Sequence, residues 1–84
     1  MEDEFENALN RMRRKSTPTP DEDLLLLYGL YKQITEGNCM TPQPWRVQVQ
    51  AYKRWEAWYK NWNMPRDIAM EKYIEKVNEL INYK

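Results

Sequence analysis

The chain has 84 residues, room for one domain and no more, so a single domain over residues 1–84 is expected. Thirteen Lys and Arg balance thirteen Asp and Glu, which argues against a general nucleic-acid binder, whose basic excess is usually strong. Histidine is absent and Ser16 is the only serine, which excludes Ser–His and Cys–His nucleophile pairs and histidine metal sites; neither an enzyme nor a cofactor is expected.

Cys39 is the lone cysteine, so no intramolecular disulfide can form. No apolar run approaches the roughly 18 residues of a membrane span. The start, MEDEFENALN, is acidic and lacks the charged-then-apolar order of a signal peptide. A soluble, cytoplasmic monomer is the expectation. A domain of this size buries only about 60% of its unfolded-chain surface, so its core is thin. Four tryptophans, six tyrosines and Phe5 offset that by burying much area on few residues.

Helical periodicity appears four times. In the first segment Phe5, Ala8, Leu9 and Met12 recur at three- and four-residue spacing. Glu2, Asp3, Glu4 and Glu6 precede Arg11, Arg13, Arg14 and Lys15, an order that complements the helix dipole at both ends. STPTP breaks this helix at Pro18 and Pro20. Asp21 is the expected cap of the second helix, whose apolar stripe is read as Leu24, Leu27, Tyr31 and Ile34. Leu25 and Tyr28 lie on its flank, Lys32 follows Tyr28 by one turn, and Gly37 stops the helix.

NCMTPQPW reads as a loop. A third helix is expected from Arg46 or Val47, with Ala51, Trp55, Trp58 and Trp62 as its stripe and both Trp55 and Trp58 in the core. Gln50 and Arg54 share another face of it. NWNMP ends this helix, and Pro65 suits the first turn of a fourth. There Ala69, Tyr73, Val77, Leu80 and Ile81 form the stripe, with Met70 and Ile74 beside it. The period is helical throughout, which predicts an all-α four-helix bundle.

One combination fits neither a core nor a solvated face. DLLLLYGLYKQITEG places Tyr28, Tyr31 and Lys32 together on a leucine-rich helix. With FENAL before it, and KRWEAW and AMEKYIEKVNEL after it, this stretch resembles the acyl-CoA-binding protein family. That family's pattern is close to L-x-x-Y-x-x-Y-K-Q-A-T-x-G, then K-W-x-A-W, then A-x-x-x-Y-I, and the likeness covers nearly the whole chain. The resemblance implies an up-down-down-up bundle that binds medium- to long-chain fatty acyl-CoA esters and carries them without chemistry. It further implies that the coenzyme's 3′-phosphate is the main anchor, held at Tyr28, Lys32 and Arg54. Tyr73 and Arg13 match the family's adenine and basic contacts, and Tyr31 belongs to the same surface. Phe5, Ala8, Leu9, Leu24 and Leu25 flank the acyl chain or the packing beneath it.

The chemistry of such a ligand agrees. Phosphate favours charge-assisted donors, a purine an aromatic face, and an acyl chain an apolar groove. Each residue also has a plainer role open to it. Tyr73 is either a core tyrosine or a ligand contact, Tyr31 either packing or surface, Arg54 either a phosphate donor or the partner of a carboxylate. The RMRRK run either completes the first helix or touches phosphate. Three positions depart from the family pattern. Gln50 stands where a lysine is usual, Arg54 replaces lysine with a different geometry, and Trp45 stands where the loop commonly has glycine, at which a large ring would narrow the pocket mouth or cover the chain. The alternative function is a four-helix protein-interaction module that has lost tight acyl-CoA binding. An acyl carrier protein is disfavoured, because its arm needs a serine in an acidic motif and Ser16 lies in KSTPTP.

Overall fold

The structure, a computed structural model, describes residues 1–82. They form four helices: α1, Glu2–Arg14; α2, Asp21–Glu36; α3, Val49–Tyr59; and α4, Arg66–Asn82. Among the described residues α2 packs against both α3 and α4, while α1 packs against α4. The contacts between elements fix their directions. Glu2 and Arg66 pair at the leading ends of α1 and α4, at 2.6 Å. Asp23, early in α2, pairs with Lys76, late in α4, at 3.0 Å. Gly29 meets Ala57, and the Trp58 Nε1–H donates to the Gly37 carbonyl at 2.7 Å, so α2 and α3 run side by side in one direction. The result is the expected up-down-down-up bundle. Its parallel middle pair requires the long crossing loop between Gly37 and Gln48.

The core lies between α1, α2 and α4. Phe5 and Ala8 from α1, Leu27, Leu30 and Ile34 from α2, and Ala69, Met70, Tyr73 and Val77 from α4 form it. The stripes of α1 and α4 fall where their periodicity places them. That of α2 does not: Leu30 is buried, whereas Leu24 and Tyr31 are 47% and 40% exposed. Four consecutive leucines and two tyrosines leave the helix phase undetermined by hydropathy. What sets it is the contact of Gly29 with α3. A Cβ at Gly29 would run into the Ala57 carbonyl, so only glycine lets the two backbones approach this closely. Gly29→Ala is therefore expected to destabilise the fold by about 1–3 kcal/mol, despite alanine's better helix propensity. Chemical denaturation of the two proteins measures it, and an unchanged midpoint would mean that α3 can step aside freely.

Two helix-end expectations and one apolar stripe need correction. Pro20, not Asp21, occupies the cap of α2, and its carbonyl accepts from Asp23 and Leu24 N–H, both at 3.0 Å. Asp21 is instead the first helical residue, where its charge still complements the dipole. α3 begins at Val49 rather than Arg46 or Val47, because a turn closed by Gln48 N–H to the Trp45 carbonyl, at 2.9 Å, takes up those residues. The α3 stripe narrows accordingly: Trp58 is buried with Ala57, Trp55 is half-buried outside the core, and Trp62 is exposed. Trp55 is held at the surface by its own polar edge, since Nε1–H donates to the Thr41 carbonyl at 3.0 Å and the ring stacks on Tyr59. After α3, Asn63 adopts φ 67°, a left-handed conformation that asparagine tolerates. Its N–H is bonded to Asn38 Oδ1 at 2.7 Å, and Asn38 also accepts from the buried Gln33 at 2.9 Å. This polar clasp ties the ends of α2 and α3 together.

Candidate ligand-binding site

Two concavities meet on the exposed flank of α2. Residues 24, 28 and 31 follow one another at four- and three-residue spacing, so they line one face of the helix. On one side, Leu24, Leu27, Tyr28 and Tyr31 combine with Leu9, Met12 and Arg13 of α1 and Tyr73 of α4 around a groove of about 340 Å³. On the other side, Leu24, Leu25 and Tyr28 join Asp21 and, from α3, Gln50, Lys53 and Arg54 around a cavity of about 410 Å³. Leu24 and Tyr28 border both, so the two spaces are neighbours across one ridge. Each volume lies in the range usual for small-molecule sites, about 300–1,000 Å³.

The floor of the first groove is aromatic. Tyr73 is buried, its ring edge-on to Phe5 at 5.2 Å between centroids, and Phe5 also lies 6.4 Å from Tyr31. Burial pushes the Tyr73 phenol above its ordinary pKa, with Tyr31 adding to the rise and Arg13 opposing it. Tyr73 is thus both a core ring and a groove residue. Phe5 is in the core and does not line the groove, which is the packing alternative of the two places expected for it. Ala8 is buried with it.

Lys32 lines neither space. It lies one turn beyond Tyr28, forms an ion pair with Glu36, and holds its ammonium 4.8 Å from the centroid of the Trp58 ring. The Glu36 hydrogen bond raises its pKa, so it is a cation at any physiological pH. Arg54 has no hydrogen-bond or ion-pair partner among the described residues, so the carboxylate partner considered for it is not found. The Arg13 guanidinium donates to Asn10 Oδ1 at 3.2 Å. Gln50 and Arg54 come together on one wall as their spacing suggested, and Lys53 joins them. Sequence reasoning passed over Lys53, which sits one helical turn from Gln50, whereas it placed Met12 on the apolar stripe of α1. Trp45 lines neither space and is exposed, so it neither narrows a mouth nor covers a groove here.

The arrangement offers cationic donors, phenol hydroxyls and apolar walls. Among the described residues no cluster of His, Cys, Asp or Glu can hold a metal ion. A third concavity carries Lys53, Lys60 and Lys76 but also Glu22, Asp23 and Glu56, so its cations are already opposed by acids. An amphipathic anion therefore fits the Tyr28 ridge better.

The family model for acyl CoA binding protein matches residues 2–77. The chain belongs to the acyl-CoA-binding protein family. It is 43% identical over 77 residues to diazepam-binding inhibitor-like 5 of Rattus norvegicus, covering 92% of this chain and 88% of that protein. It is 35% identical over 81 residues to the acyl-CoA-binding protein of Brassica napus, covering 96% and 88%. The crystal structure of Oryza sativa acyl-CoA-binding protein 2 matches with a TM-score of 0.88 at 34% identity, over 96% of this chain and 90% of that one. The four-helix acyl-CoA-binding protein fold, read from LYGLYKQITEG and RWEAW, is the fold observed. Members of this family are binding proteins, and no helix of the described chain is long and apolar enough to cross a membrane.

Proposed function

We propose that this chain is a single acyl-CoA-binding domain that binds and transports medium- to long-chain fatty acyl-CoA in the cytoplasm, as a monomer and without catalysis. The observation that carries the reading is the Tyr28 ridge, with an aromatic groove on one side and a leucine-walled cavity on the other. The 3′-phosphate is assigned to Tyr28, Lys32 and Arg54, at the seam of α2 and α3. Charge-assisted bonds of this kind contribute about 1.5–3 kcal/mol each. The adenine is assigned to the groove of Tyr73, Tyr31 and Leu9, with Arg13 at its rim. The acyl chain is assigned to Leu24, Leu25 and the aliphatic stems of Gln50, Lys53 and Arg54, because side chains of this kind bury their methylenes while keeping polar ends wet. Gln50 in place of a lysine removes one cation from that wall and leaves its apolar stem.

Calorimetry with acetyl-, octanoyl- and palmitoyl-CoA tests the reading. Affinity is expected to rise with chain length and then level when the groove is full. Octanoyl to palmitoyl adds at most about 6 kcal/mol by methylene counting, and less where burial is incomplete. Equal affinity for acetyl- and palmitoyl-CoA would remove the acyl-carrier function and leave the interaction-module alternative.

A further inference from the structure

The basic run at the end of α1 is only partly used by the ligand site. Arg13 lines the aromatic groove. Arg11, Arg14 and Lys15 instead line a separate concavity of about 480 Å³, together with Ser16 and Thr17 of the following linker and Leu80 of α4. No acid lines it, and residues 7–20 carry four bases and no acid. None of the ion pairs among the described residues includes Arg11 or Arg14. Lys15 Nζ donates to the Thr17 carbonyl at 2.7 Å, to Thr17 Oγ1 at 2.9 Å and to the Pro18 carbonyl at 3.2 Å, all neutral acceptors. Three cations around one space, with no counter-charge in its walls, suit an anion.

The chain itself can supply that anion. Ser16 is exposed, stands just past the end of α1 and follows Arg13, Arg14 and Lys15 directly. The backbone turns extended at Lys15, with φ −62° and ψ 124°, and Pro18 keeps Thr17 out of the helical region. A kinase with an acidic substrate cleft needs an exposed hydroxyl on extended backbone, with arginines two and three positions before it. The acids of the cleft pair with the arginines, and the serine reaches the triphosphate. Thr17 is the poorer acceptor, because its Oγ1 is already bonded to Lys15 and proline follows it.

We propose that Ser16 is a phosphorylation site for a kinase that reads basic residues, and that its phosphate is held by Arg11, Arg14 and Lys15. In the transfer, Ser16 Oγ bonds to the γ-phosphorus of a nucleoside triphosphate. The bond from that phosphorus to the bridging oxygen breaks, the nucleoside diphosphate leaves, and the hydroxyl proton passes to the kinase's catalytic carboxylate. The product carries about two negative charges at neutral pH. The C-terminal end of α1 opposes them with roughly half a charge, which three cations outweigh. The modification also cancels much of the positive field around Arg13, three residues away, and so weakens the aromatic groove as a seat for an anionic ligand. That consequence rests on the acyl-CoA reading; the modification site does not.

The test incubates the full chain with magnesium ATP and the catalytic subunit of cyclic-AMP-dependent protein kinase. Mass spectrometry is expected to find one phosphate, as phosphoserine, and the chain has no other serine to carry it. Ser16→Ala is expected to abolish it and Thr17→Ala to keep it, while Arg13→Gln combined with Arg14→Gln slows it about tenfold or more. Phosphorus NMR is expected to show the phosphate titrating below the ordinary range of a phosphoserine. Arg11→Gln, modified equally well, is expected to bring that titration back up. Palmitoyl-CoA is expected to bind the modified chain about threefold to tenfold more weakly at low salt, with a smaller difference at high salt. Failure to modify Ser16 in the folded chain, or modification at Thr17 or Thr19 in its place, would overturn the site. A phosphate that titrates alike in the parent and Arg11→Gln would overturn its seat among the arginines, and equal palmitoyl-CoA affinity would overturn the coupling. If the unmodified chain binds no palmitoyl-CoA, the acyl-CoA reading has failed, and modification and titration still decide the site.

Discussion

Trp58→Ala is expected to lower the unfolding free energy by about 3–5 kcal/mol, the usual cost of emptying a large buried aromatic site. Small domains have about 5–15 kcal/mol in total, so the variant should stand near the edge of folding. Trp58 is buried where α3 meets α2, and its indole N–H satisfies the Gly37 carbonyl at the end of α2. Truncation leaves both a cavity and a carbonyl without its donor. Trp58→Phe keeps most of the volume and loses that bond, so a smaller cost of about 1–2 kcal/mol is expected. Trp55→Ala provides the contrast: that ring is half-buried and lies outside the core cluster, and its loss should cost clearly less than that of Trp58. Urea denaturation followed by circular dichroism measures all three without relying on tryptophan emission. If Trp58→Ala keeps its midpoint, α3 contributes little to the fold.

Lys32→Ala is expected to weaken palmitoyl-CoA binding by about 2–4 kcal/mol, because the ligand phosphate would lose a charged partner in a partly desolvated seam. The same variant should scarcely alter the affinity for the 3′-dephospho ligand. A cycle over protein and ligand then yields a large coupling energy, which isolates the contact from any general effect of the substitution. Arg54→Ala should act in the same direction, and added salt should shrink both effects. The ion pair with Glu36 adds a second expectation. In the free protein Glu36 holds Lys32, so the phosphate must share or displace that carboxylate. Glu36→Gln is therefore expected to strengthen binding of the phosphorylated ligand, by less than tenfold, and to leave the dephospho ligand unchanged. Stability should stay near the parent value in each case, since neither side chain belongs to the core. Equal loss of both ligands in Lys32→Ala would move the lysine to the diphosphate, and the 3′-phosphate assignment to Arg54 or Arg13.

The helices of α1 and α4 were legible because their apolar residues keep one period and their flanking charges agree with it. Pro18, Pro20, Gly37 and Pro65 punctuate the chain close to where the helices end or begin. The phase of α2 was not legible. DLLLLYGLY is apolar on every side, and the deciding contact, Gly29 against the Ala57 backbone, is a property of two helices and not of one. Trp55 misled for a related reason. A tryptophan on an apolar stripe reads as core, yet its N–H found the Thr41 carbonyl in a loop fourteen residues earlier. The site residues that came together, Tyr28 with Gln50 and Arg54, and Tyr31 with Arg13 and Tyr73, were selected through the family motif. Composition alone did not single them out, because in a neutral chain each looks like an ordinary surface residue. The Glu36 pairing had a signal that went unused, the four-residue step from Lys32.

The pairing order of the helices also bears on how the molecule is made. Among the described residues α1 lies backbone-close only to α4, the last of these four helices in chain order. A nascent chain can lay α2 against α3 while it is still emerging, and with them the leucine-walled cavity. Its first helix must meanwhile wait for a neighbour more than fifty residues downstream, between Arg14 and Arg66. The groove between α1 and α2 has no floor until Tyr73 arrives. Translation that pauses before α4 should therefore leave α1 frayed and open to proteases or chaperones. A stalled product would hold the leucine-walled cavity alone, and the aromatic groove would appear all at once, when α4 docks.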